Sequence, residues 1–227
     1  ITGASSGIGK ACAVDLASKG ANLVLAARQL DIIEDLGKTL SQNYGTKVLA
    51  VKTDVSLEDD CAELMRQTVA KFGKIDILLN NAGISMRALF SNVELKVLKQ
   101  LMDVNFWGTV YCTKYAYDEI RKSKGSIVGV SSIAGYRGLP GRTGYSASKF
   151  AMNGFMESIR TELLPVGVHV MVVCPGFTAS NIRVAALSDS GAAHGETSME
   201  EGKMMTAEEV AARISEGLVK RKRTLIM

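Results

Sequence analysis

The sequence contains little histidine and little cysteine. Its two histidines are His169, inside an apolar run typical of a strand, and His194, inside a polar stretch. We therefore expect neither a histidine zinc site nor a Ser-His-Asp triad. The four cysteines are widely scattered among apolar residues, without metal-ligand spacing or the density of a disulfide framework. This pattern predicts no metal site and a reducing, cytoplasmic compartment.

Charge of one sign and long apolar runs are also limited. The chain has 27 Lys and Arg against 23 Asp and Glu, a formal net charge of +4. The basic run at 220–223 is interpreted as the end of a helix, where cations are favoured, so we expect no nucleic-acid partner. No apolar run approaches the ~20 residues of a membrane-spanning helix, which predicts no membrane segment in the chain. The length of 227 residues suits one domain, 1–227.

Apolar runs of strand length alternate with helical patterns along the whole chain. Runs this continuous are typical of parallel strands that are covered on both faces. The alternation predicts an α/β fold with a doubly wound, Rossmann-like, mostly parallel seven-stranded sheet and helices on both faces. The predicted strands are 21–27, 47–52, 74–80, 125–132 and 167–175. The predicted helices are 7–19, 29–43, 57–72, 93–122, 144–165 and 207–219, and the last of them leads into "RTLIM".

Three local features complete this organisation. The weakly patterned, polar stretch near 184–205 predicts a mobile substrate loop. Thr206 and Glu209 have the spacing of a capping box at the start of the last helix. The chain opens on "ITG", and because a glycine turn of this kind follows a strand, we expect a further, central strand immediately before Ile1.

The stretch "TGASSGIGKACA" at 2–13 places three glycines ahead of an amphipathic helix. Gly3, Gly7 and Gly9 allow a tight turn from a strand into a helix, so that a phosphate can approach the backbone N–H groups at the helix N-terminus. Small-residue turns are common, and this turn alone is a weak signal for a dinucleotide site.

Tyr145 and Lys149 stand four residues apart on a predicted helix, so the phenol and the ammonium share one face. An adjacent cation favours the phenolate, which suits a proton donor or acceptor that works near neutral pH. Taken alone, however, such a pair is more often a surface lysine beside a half-buried tyrosine.

The order and spacing of T-G-x-x-x-G-x-G, N-N-A-G and Y-x-x-x-K resemble the short-chain dehydrogenase/reductase family, single-domain type, over essentially the whole chain. The resemblance implies a nicotinamide dinucleotide cofactor. It assigns cofactor binding to residues of the glycine turn, the ends of the predicted strands 21–27 and 47–52, the N-N-A-G element, the catalytic helix and the segment 175–180. These are Gly3, Ser5, Ser6, Gly7, Ile8, Arg28, Asp54, Val55, Asn81, Ala82, Gly83, Tyr145, Lys149, Pro175, Gly176, Thr178 and Ser180, where Ser180 replaces the usual threonine.

The resemblance also implies four catalytic residues. Tyr145 acts as general acid/base, and Lys149 lowers the tyrosine pKa and binds the nicotinamide ribose. Ser132 positions the substrate oxygen, and Asn105 holds a water in the proton path. Each of these residues also has an ordinary structural interpretation, such as a capped turn or a polar helix position. Their joint order and spacing favours catalysis.

The end of the predicted strand 21–27 indicates the cofactor. Enzymes of this architecture that use NAD carry an acid there, which binds the ribose 2′-hydroxyl. Here Ala27 occupies that place and Arg28 follows, so a guanidinium is available for a 2′-phosphate, and Ser5 adds a hydroxyl. We therefore predict NADP(H), with Asp31 and Glu34 as the alternative partners of Arg28.

The predicted function is an NADP(H)-dependent oxidoreductase that interconverts a carbonyl compound and its secondary alcohol. The substrate is expected to be an apolar or mixed small molecule, because the residues predicted to face it are mostly apolar. These are Ile84, Met86, Leu89, Phe90, Tyr136, Leu139 and Phe177. The alternatives are a non-catalytic dinucleotide-binding regulatory protein and a lyase or isomerase on the same fold. Apolar side chains such as Trp107 and Phe150 on the helices 93–122 and 144–165 predict a homo-tetramer or homo-dimer.

Overall fold

The strands of the protein are apolar on both faces, and each face packs on a different layer of helices. In the computed structural model, which describes residues 1–179, 182–193, 195 and 204–227, this produces a Rossmann-like α/β fold with a parallel sheet between helices. The strands are β1 (Leu23–Ala27), β2 (Val48–Lys52), β3 (Ile77–Asn80), β4 (Ser126–Val130), β5 (His169–Cys174) and β6 (Thr224–Ile226). The predicted fold class is confirmed.

The helices lie close to their predicted positions, with one exception. They are α1 (Gly7–Ser18), α2 (Leu30–Tyr44), α3 (Glu58–Phe72), α4 (Leu95–Met102), α5 (Gly108–Ser123), α6 (Thr143–Leu163) and α7 (Ala207–Val219). The exception is the predicted helix 93–122, whose helical residues run from Leu95 to Ser123 but include a π-helical turn at Asp103–Trp107 between α4 and α5. Single π turns of this kind frequently occur at functional sites. The predicted capping box is confirmed, since the Glu209 amide donates to the Thr206 hydroxyl oxygen at 3.1 Å.

All strand pairs are parallel, in the orders β1-β2 and β3-β4-β5-β6. Ile1 and Thr2 lie between the two groups. The Thr2 amide donates to the Leu79 carbonyl at 3.0 Å, and the Ala26 amide donates to the Ile1 carbonyl at 3.0 Å. The start of the chain therefore joins the two groups of strands. The described residues form six strands, and the seven-stranded sheet stays a prediction.

Alternating residues of β4 and β5 supply the two layers of the core. Ile127 and Val172 face the cluster built with α3, α5 and α6, whereas Val128 and Val173 face the cluster built with α1 and α7. A third cluster joins α1 and α2 to β1. With helices on both faces, the carboxyl ends of the parallel strands meet at one edge, where ligands bind in folds of this type.

The segment after β5 is held to the body of the protein where it is described. The Leu187 amide donates to the Ser85 carbonyl at 2.8 Å, and the Arg87 amide donates to the Leu187 carbonyl at 2.8 Å. Ser180, His194 and 196–203 lie outside the described residues, so the mobile loop near 184–205 stays a prediction. Within the described part of the chain, no helix has the length and hydropathy to cross a membrane. Self-association also stays a prediction, and Trp107 and Phe150 are 43% and 46% exposed.

Candidate active site

The glycine turn is tied to the N-N-A-G element by side chains from both segments. The Thr2 hydroxyl oxygen accepts from the amides of Asn81 and Ala82, each at 3.0 Å. The Asn81 amide nitrogen Nδ2 donates to the carbonyls of Thr2 and Gly3 at 3.0 and 3.2 Å. These bonds fix the turn against the end of β3 and leave its remaining backbone N–H groups at the entrance of α1.

The turn is so tight that one of its glycines has no room for a side chain. A Cβ atom on Gly9 would lie 2.2 Å from the Gly3 carbonyl oxygen and 2.5 Å from Asn81 Nδ2. Gly7 has φ +51°, in the left-handed region that favours glycine. Ser6, the N-cap residue of α1, makes no side-chain hydrogen bond to the first turn of that helix within the described residues. The turn therefore has the shape and the unfilled donors of a phosphate site.

The ends of β1 and β2 form the next part of the site. Ala27 ends β1 and is buried, and the exposed Arg28 follows it. Among the described ion pairs, none joins Arg28 to Asp31 or Glu34. After β2, Asp54 Oδ1 accepts from the amide and hydroxyl of Ser56 at 3.0 and 2.7 Å. The site thus presents an arginine with no carboxylate at the end of β1.

Tyr145 and Lys149 lie on α6 and face the end of β4. Lys149 Nζ is 5.9 Å from the centre of the Tyr145 ring and donates to the Val130 carbonyl at 2.9 Å. Ser132 follows β4 and begins a 3-10 turn at Ile133–Gly135, where its hydroxyl oxygen accepts from the Ala134 amide at 3.2 Å. The predicted side-by-side placement of the phenol and the ammonium is therefore observed.

The pKa values in this group depend mainly on burial. Burial raises the pKa of Tyr145, although a hydrogen bond with Ser132 and the charge of Arg142 act in the opposite direction. Burial also lowers the pKa of Lys149 to about 8. Desolvation of the phenolate has the largest effect on the pKa of Tyr145, and Ser132 and Arg142 offset part of it. The expectation that Lys149 lowers the tyrosine pKa stays a prediction.

Asn105 lies behind the site, on the π-helical turn, and is fully buried. Its Oδ1 accepts from the Ile84 amide at 2.8 Å, and its Nδ2 donates to the Ile84 carbonyl and the Ser148 hydroxyl, both at 2.9 Å. The asparagine thereby fixes the chain after the N-N-A-G element to α6, three residues after Tyr145. Its expected water stays a prediction.

The segment after β5 completes the site. The Thr178 hydroxyl donates to the Gly176 carbonyl at 3.4 Å, and the Ala179 amide donates to the Met205 carbonyl at 3.0 Å. Ser180, which is predicted to bind the cofactor, lies outside the described residues.

One cavity of about 480 Å³ joins these parts. Among the described residues, its walls include every predicted cofactor-binding or catalytic residue except Asn105, which is buried behind them. They are Gly3, Ser5, Ser6, Gly7, Ile8, Arg28, Asp54, Val55, Asn81, Ala82, Gly83, Ser132, Tyr145, Lys149, Pro175, Gly176 and Thr178. A glycine turn and an arginine at one end thus share a cavity with a serine, a tyrosine and a lysine at the other.

The predictions for the substrate side were less accurate. Ile84, Leu139 and Phe177 line the cavity as expected. Met86 does not, because it is fully buried in a small cluster with α4. Leu89, Phe90 and Tyr136 are 61%, 67% and 45% exposed and also lie outside the walls of the cavity.

Sequence reasoning missed three polar residues of this wall, Ser85, Arg142 and Arg183. Arg142 Nη1 donates to the Ser85 hydroxyl at 2.6 Å. The position of Arg142, three residues before Tyr145, is the signal that could have pointed to it, because residues three apart share a helix face.

Comparisons with known proteins agree with this geometry. The sequence profile of the short chain dehydrogenase family matches residues 1–191. The chain is 40% identical over 183 residues to 11-beta-hydroxysteroid dehydrogenase 1A of Arabidopsis thaliana, covering 80% of this chain and 52% of the relative. It is 41% identical over 185 residues to 11-beta-hydroxysteroid dehydrogenase A of Arachis hypogaea, covering 80% and 52%. The chain thus spans about half the length of these curated relatives.

Solved structures with the same fold span the whole chain. An alcohol dehydrogenase from the archaeon Thermococcus sibiricus, complexed with 5-hydroxy-NADP, superimposes with a TM-score of 0.86 at 25% identity, covering 100% of this chain and 94% of that one. A short-chain dehydrogenase from Sphingobium yanoikuyae in complex with NADPH gives a TM-score of 0.86 at 26% identity, covering 100% and 85%. This chain belongs to the short chain dehydrogenase family, a family of dehydrogenases and reductases.

Proposed function

We propose that the protein is an NADP(H)-dependent oxidoreductase that interconverts a carbonyl compound and its secondary alcohol by hydride transfer. The observation that carries the proposal is the single cavity in which the glycine turn and Arg28 lie at one end and Ser132, Tyr145 and Lys149 at the other. A dinucleotide needs both a phosphate site and a reacting end, and this cavity offers both. Two neighbours of the same fold are complexed with NADPH or 5-hydroxy-NADP, which also supports the choice of cofactor.

The residues present fit such a cofactor. The space beside Gly9 that a Cβ atom cannot occupy lets a phosphate approach the backbone. Arg28 at the end of β1, with no described carboxylate pair, suits a 2′-phosphate, which a guanidinium binds through two parallel hydrogen bonds. Lys149 uses one of its three donors on the Val130 carbonyl, so it has further donors for ribose hydroxyls.

The chemistry divides between the cofactor and the protein. The nicotinamide supplies or accepts the hydride when it is bound. In reduction, Tyr145 Oη gives its proton to the carbonyl oxygen, and in oxidation the phenolate takes a proton from the alcohol. Ser132, which lines the same cavity as Tyr145, holds the substrate oxygen and stabilises the charge that develops on it. Because burial raises the pKa of Tyr145, the phenol stays protonated near neutral pH, which is the form that reduction consumes.

A steady-state assay that follows nicotinamide absorbance tests this proposal. Ketones and secondary alcohols, including hydroxysteroids because of the names of the relatives, are supplied with NADPH or NADP⁺ and in parallel with NADH or NAD⁺. We expect turnover of at least one pair, with kcat/KM about tenfold or more higher for the phosphorylated cofactor. Cofactor binding without turnover would favour a regulatory protein. Substrate conversion without net change of the nicotinamide would favour a lyase or isomerase.

A further inference from the structure

Arg142 occupies a position in the substrate end of the cavity that the proposed hydride and proton transfer does not explain. It is the N-cap residue of α6, three residues before Tyr145, and it lines the cavity together with Ser85 and Leu139. Its Nη1 donates to the Ser85 hydroxyl at 2.6 Å. Among the described residues, the Arg142 side chain makes this one hydrogen bond, and the acceptor carries no charge. A guanidinium has five N–H donors, so most of its capacity is open to a ligand.

No described ion pair includes Arg142. Burial lowers the pKa of Arg142, the charges of Arg87 and Arg183 lower it further, and Tyr145 acts in the opposite direction. Among the described residues that line the cavity, Asp54 is the sole carboxylate, and it follows β2 and is bonded to Ser56. A partly buried charge is unfavourable unless an opposite charge pairs with it. Among the described residues, the substrate end of the cavity thus holds no acid that balances the charge of Arg142.

We propose that Arg142 binds an oxyanion, such as a carboxylate, phosphate or sulfate group, that the substrate carries in addition to its reacting carbonyl. Arginine suits this role, because its planar fork matches an oxyanion through two parallel hydrogen bonds. The inference rests on the proposed function and specifies the substrate class of that site. It concerns a different anion from the cofactor phosphates, because Arg28 and the glycine turn belong to the other end of the cavity.

The rest of this wall suits the apolar body of such a substrate. Ile84, Leu139 and Phe177 line the cavity, and the Arg183 guanidinium lies 5.5 Å from the centre of the Phe177 ring. A cation over an aromatic face keeps its charge near an apolar surface. The site therefore selects a ketone or alcohol that has an apolar body and an anionic end. The apolar wall residues by themselves would suggest a purely apolar substrate.

The test compares charged and neutral ketones that are otherwise alike. One arm uses methyl-ketone carboxylic acids of increasing chain length, each against its primary amide. A second arm uses phosphate esters of hydroxyketones, each against the free hydroxyketone. For the wild-type enzyme with NADPH, we expect KM to be about tenfold or more lower for at least one anionic member than for its neutral partner. The arm that gives the preference identifies the anion.

Variants then assign the preference to Arg142. Arg142→Gln should bring the ratio of the two KM values close to one, and Arg142→Lys should keep part of the preference. Arg142→Met is a second neutral variant if the glutamine variant does not fold. Arg137→Gln is the matched control, because Arg137 is exposed, lies on the same loop and does not line the cavity. Any effect of Arg142 on the Tyr145 proton cancels in the ratio, because both ketones use the same tyrosine.

The inference is overturned if, in both arms, each anionic ketone has the same KM as its neutral partner. It is also overturned if the neutral Arg142 variants keep the preference for the anionic ketone. If the wild-type protein reduces none of these ketones, the proposed function has failed in this assay. The inference is then decided separately by calorimetry, which measures the binding of each ketone to the protein saturated with NADP⁺. Tighter binding of an anionic member that Arg142→Gln abolishes would support it. Equal dissociation constants within every pair would overturn it.

Discussion

Replacing Lys149 with methionine should stabilise the cofactor-free protein at pH 7 while it removes activity. The Lys149 side chain is 2% exposed, and within the described residues its hydrogen bond is the one from Nζ to the Val130 carbonyl at 2.9 Å. A buried ammonium with one polar contact is poorly solvated. Methionine has a similar length and no charge, so it removes the cost of burial and keeps most of the packing.

The size of the effect follows from the pKa. Burial lowers the pKa of Lys149 from 10.5 to about 8, which corresponds to about 3 kcal/mol against the charged form in the folded state. Loss of the hydrogen bond to the Val130 carbonyl costs about 1–2 kcal/mol. We therefore expect the free energy of unfolding of Lys149→Met to exceed that of the wild type by about 1–2 kcal/mol at pH 7.

The pH dependence gives the sign of this effect independently. The folded pKa of Lys149, about 8, is lower than its ordinary value of 10.5, so between these pH values the unfolded chain holds a proton that the folded protein lacks. Wild-type stability therefore rises with pH across this window. The methionine variant lacks this rise, so its advantage shrinks above pH 8 and is reversed near pH 10.5, where only the lost hydrogen bond remains.

Urea unfolding of both proteins at pH 7 and near pH 10 measures these differences. Lys114→Met is the control, because Lys114 is exposed on α5 and should change stability little at either pH. A Lys149→Met protein that is less stable than the wild type at pH 7, or an advantage that does not change with pH, would refute the reasoning.

Three further changes test other parts of the site. Gly9→Ala should weaken NADPH binding about tenfold or more in a fluorescence titration, because its Cβ atom would lie 2.2 Å from a backbone carbonyl oxygen of the glycine turn; unchanged affinity would contradict the described turn. Arg28→Ala should raise KM for NADPH about tenfold or more, roughly 1.4 kcal/mol, and leave NADH almost unchanged; equal losses would mean that Arg28 only shapes the loop. Arg142→Gln should move the pH profile of alcohol oxidation with a neutral alcohol to higher pH, because oxidation needs the Tyr145 phenolate and the Arg142 charge lowers that pKa; a profile that does not move would show that Ser132 supplies the compensation alone.

The fold could be predicted because its signals are local and repeated. Continuous apolar runs marked the parallel strands, and the helix boundaries followed from period and capping, as at Thr206 and Glu209. The strand predicted at 74–80 begins later, at Ile77, because Lys74 and Asp76 are exposed and form an ion pair of 3.0 Å. The π turn at Asp103–Trp107 was not predicted, because the sequence analysis treated 93–122 as one helix of uniform period.

In the site too, features set by local spacing could be predicted, whereas features set by residues far apart in sequence could not. Residue spacing alone was enough to place Tyr145 beside Lys149, because positions four apart on a helix share a face. The direction of the tyrosine pKa was not predictable, since it depends on burial and on Ser132 and Arg142 from other parts of the chain. The position of Arg142 before Tyr145 could have pointed to the cavity wall, but its contact with Ser85, 57 residues away in sequence, was not predictable.

The most direct test of the proposed chemistry is the turnover of Tyr145→Phe with NADPH and an active ketone, with cofactor affinity measured in parallel. The substitution removes the transferable proton and keeps the ring. We predict that kcat falls by about a hundredfold or more, within the range for loss of a general acid, while the dissociation constant for NADPH changes little. A variant that keeps more than a few per cent (~5%) of wild-type turnover, or that loses NADPH affinity in proportion to its activity, would contradict the assignment of the proton to Tyr145.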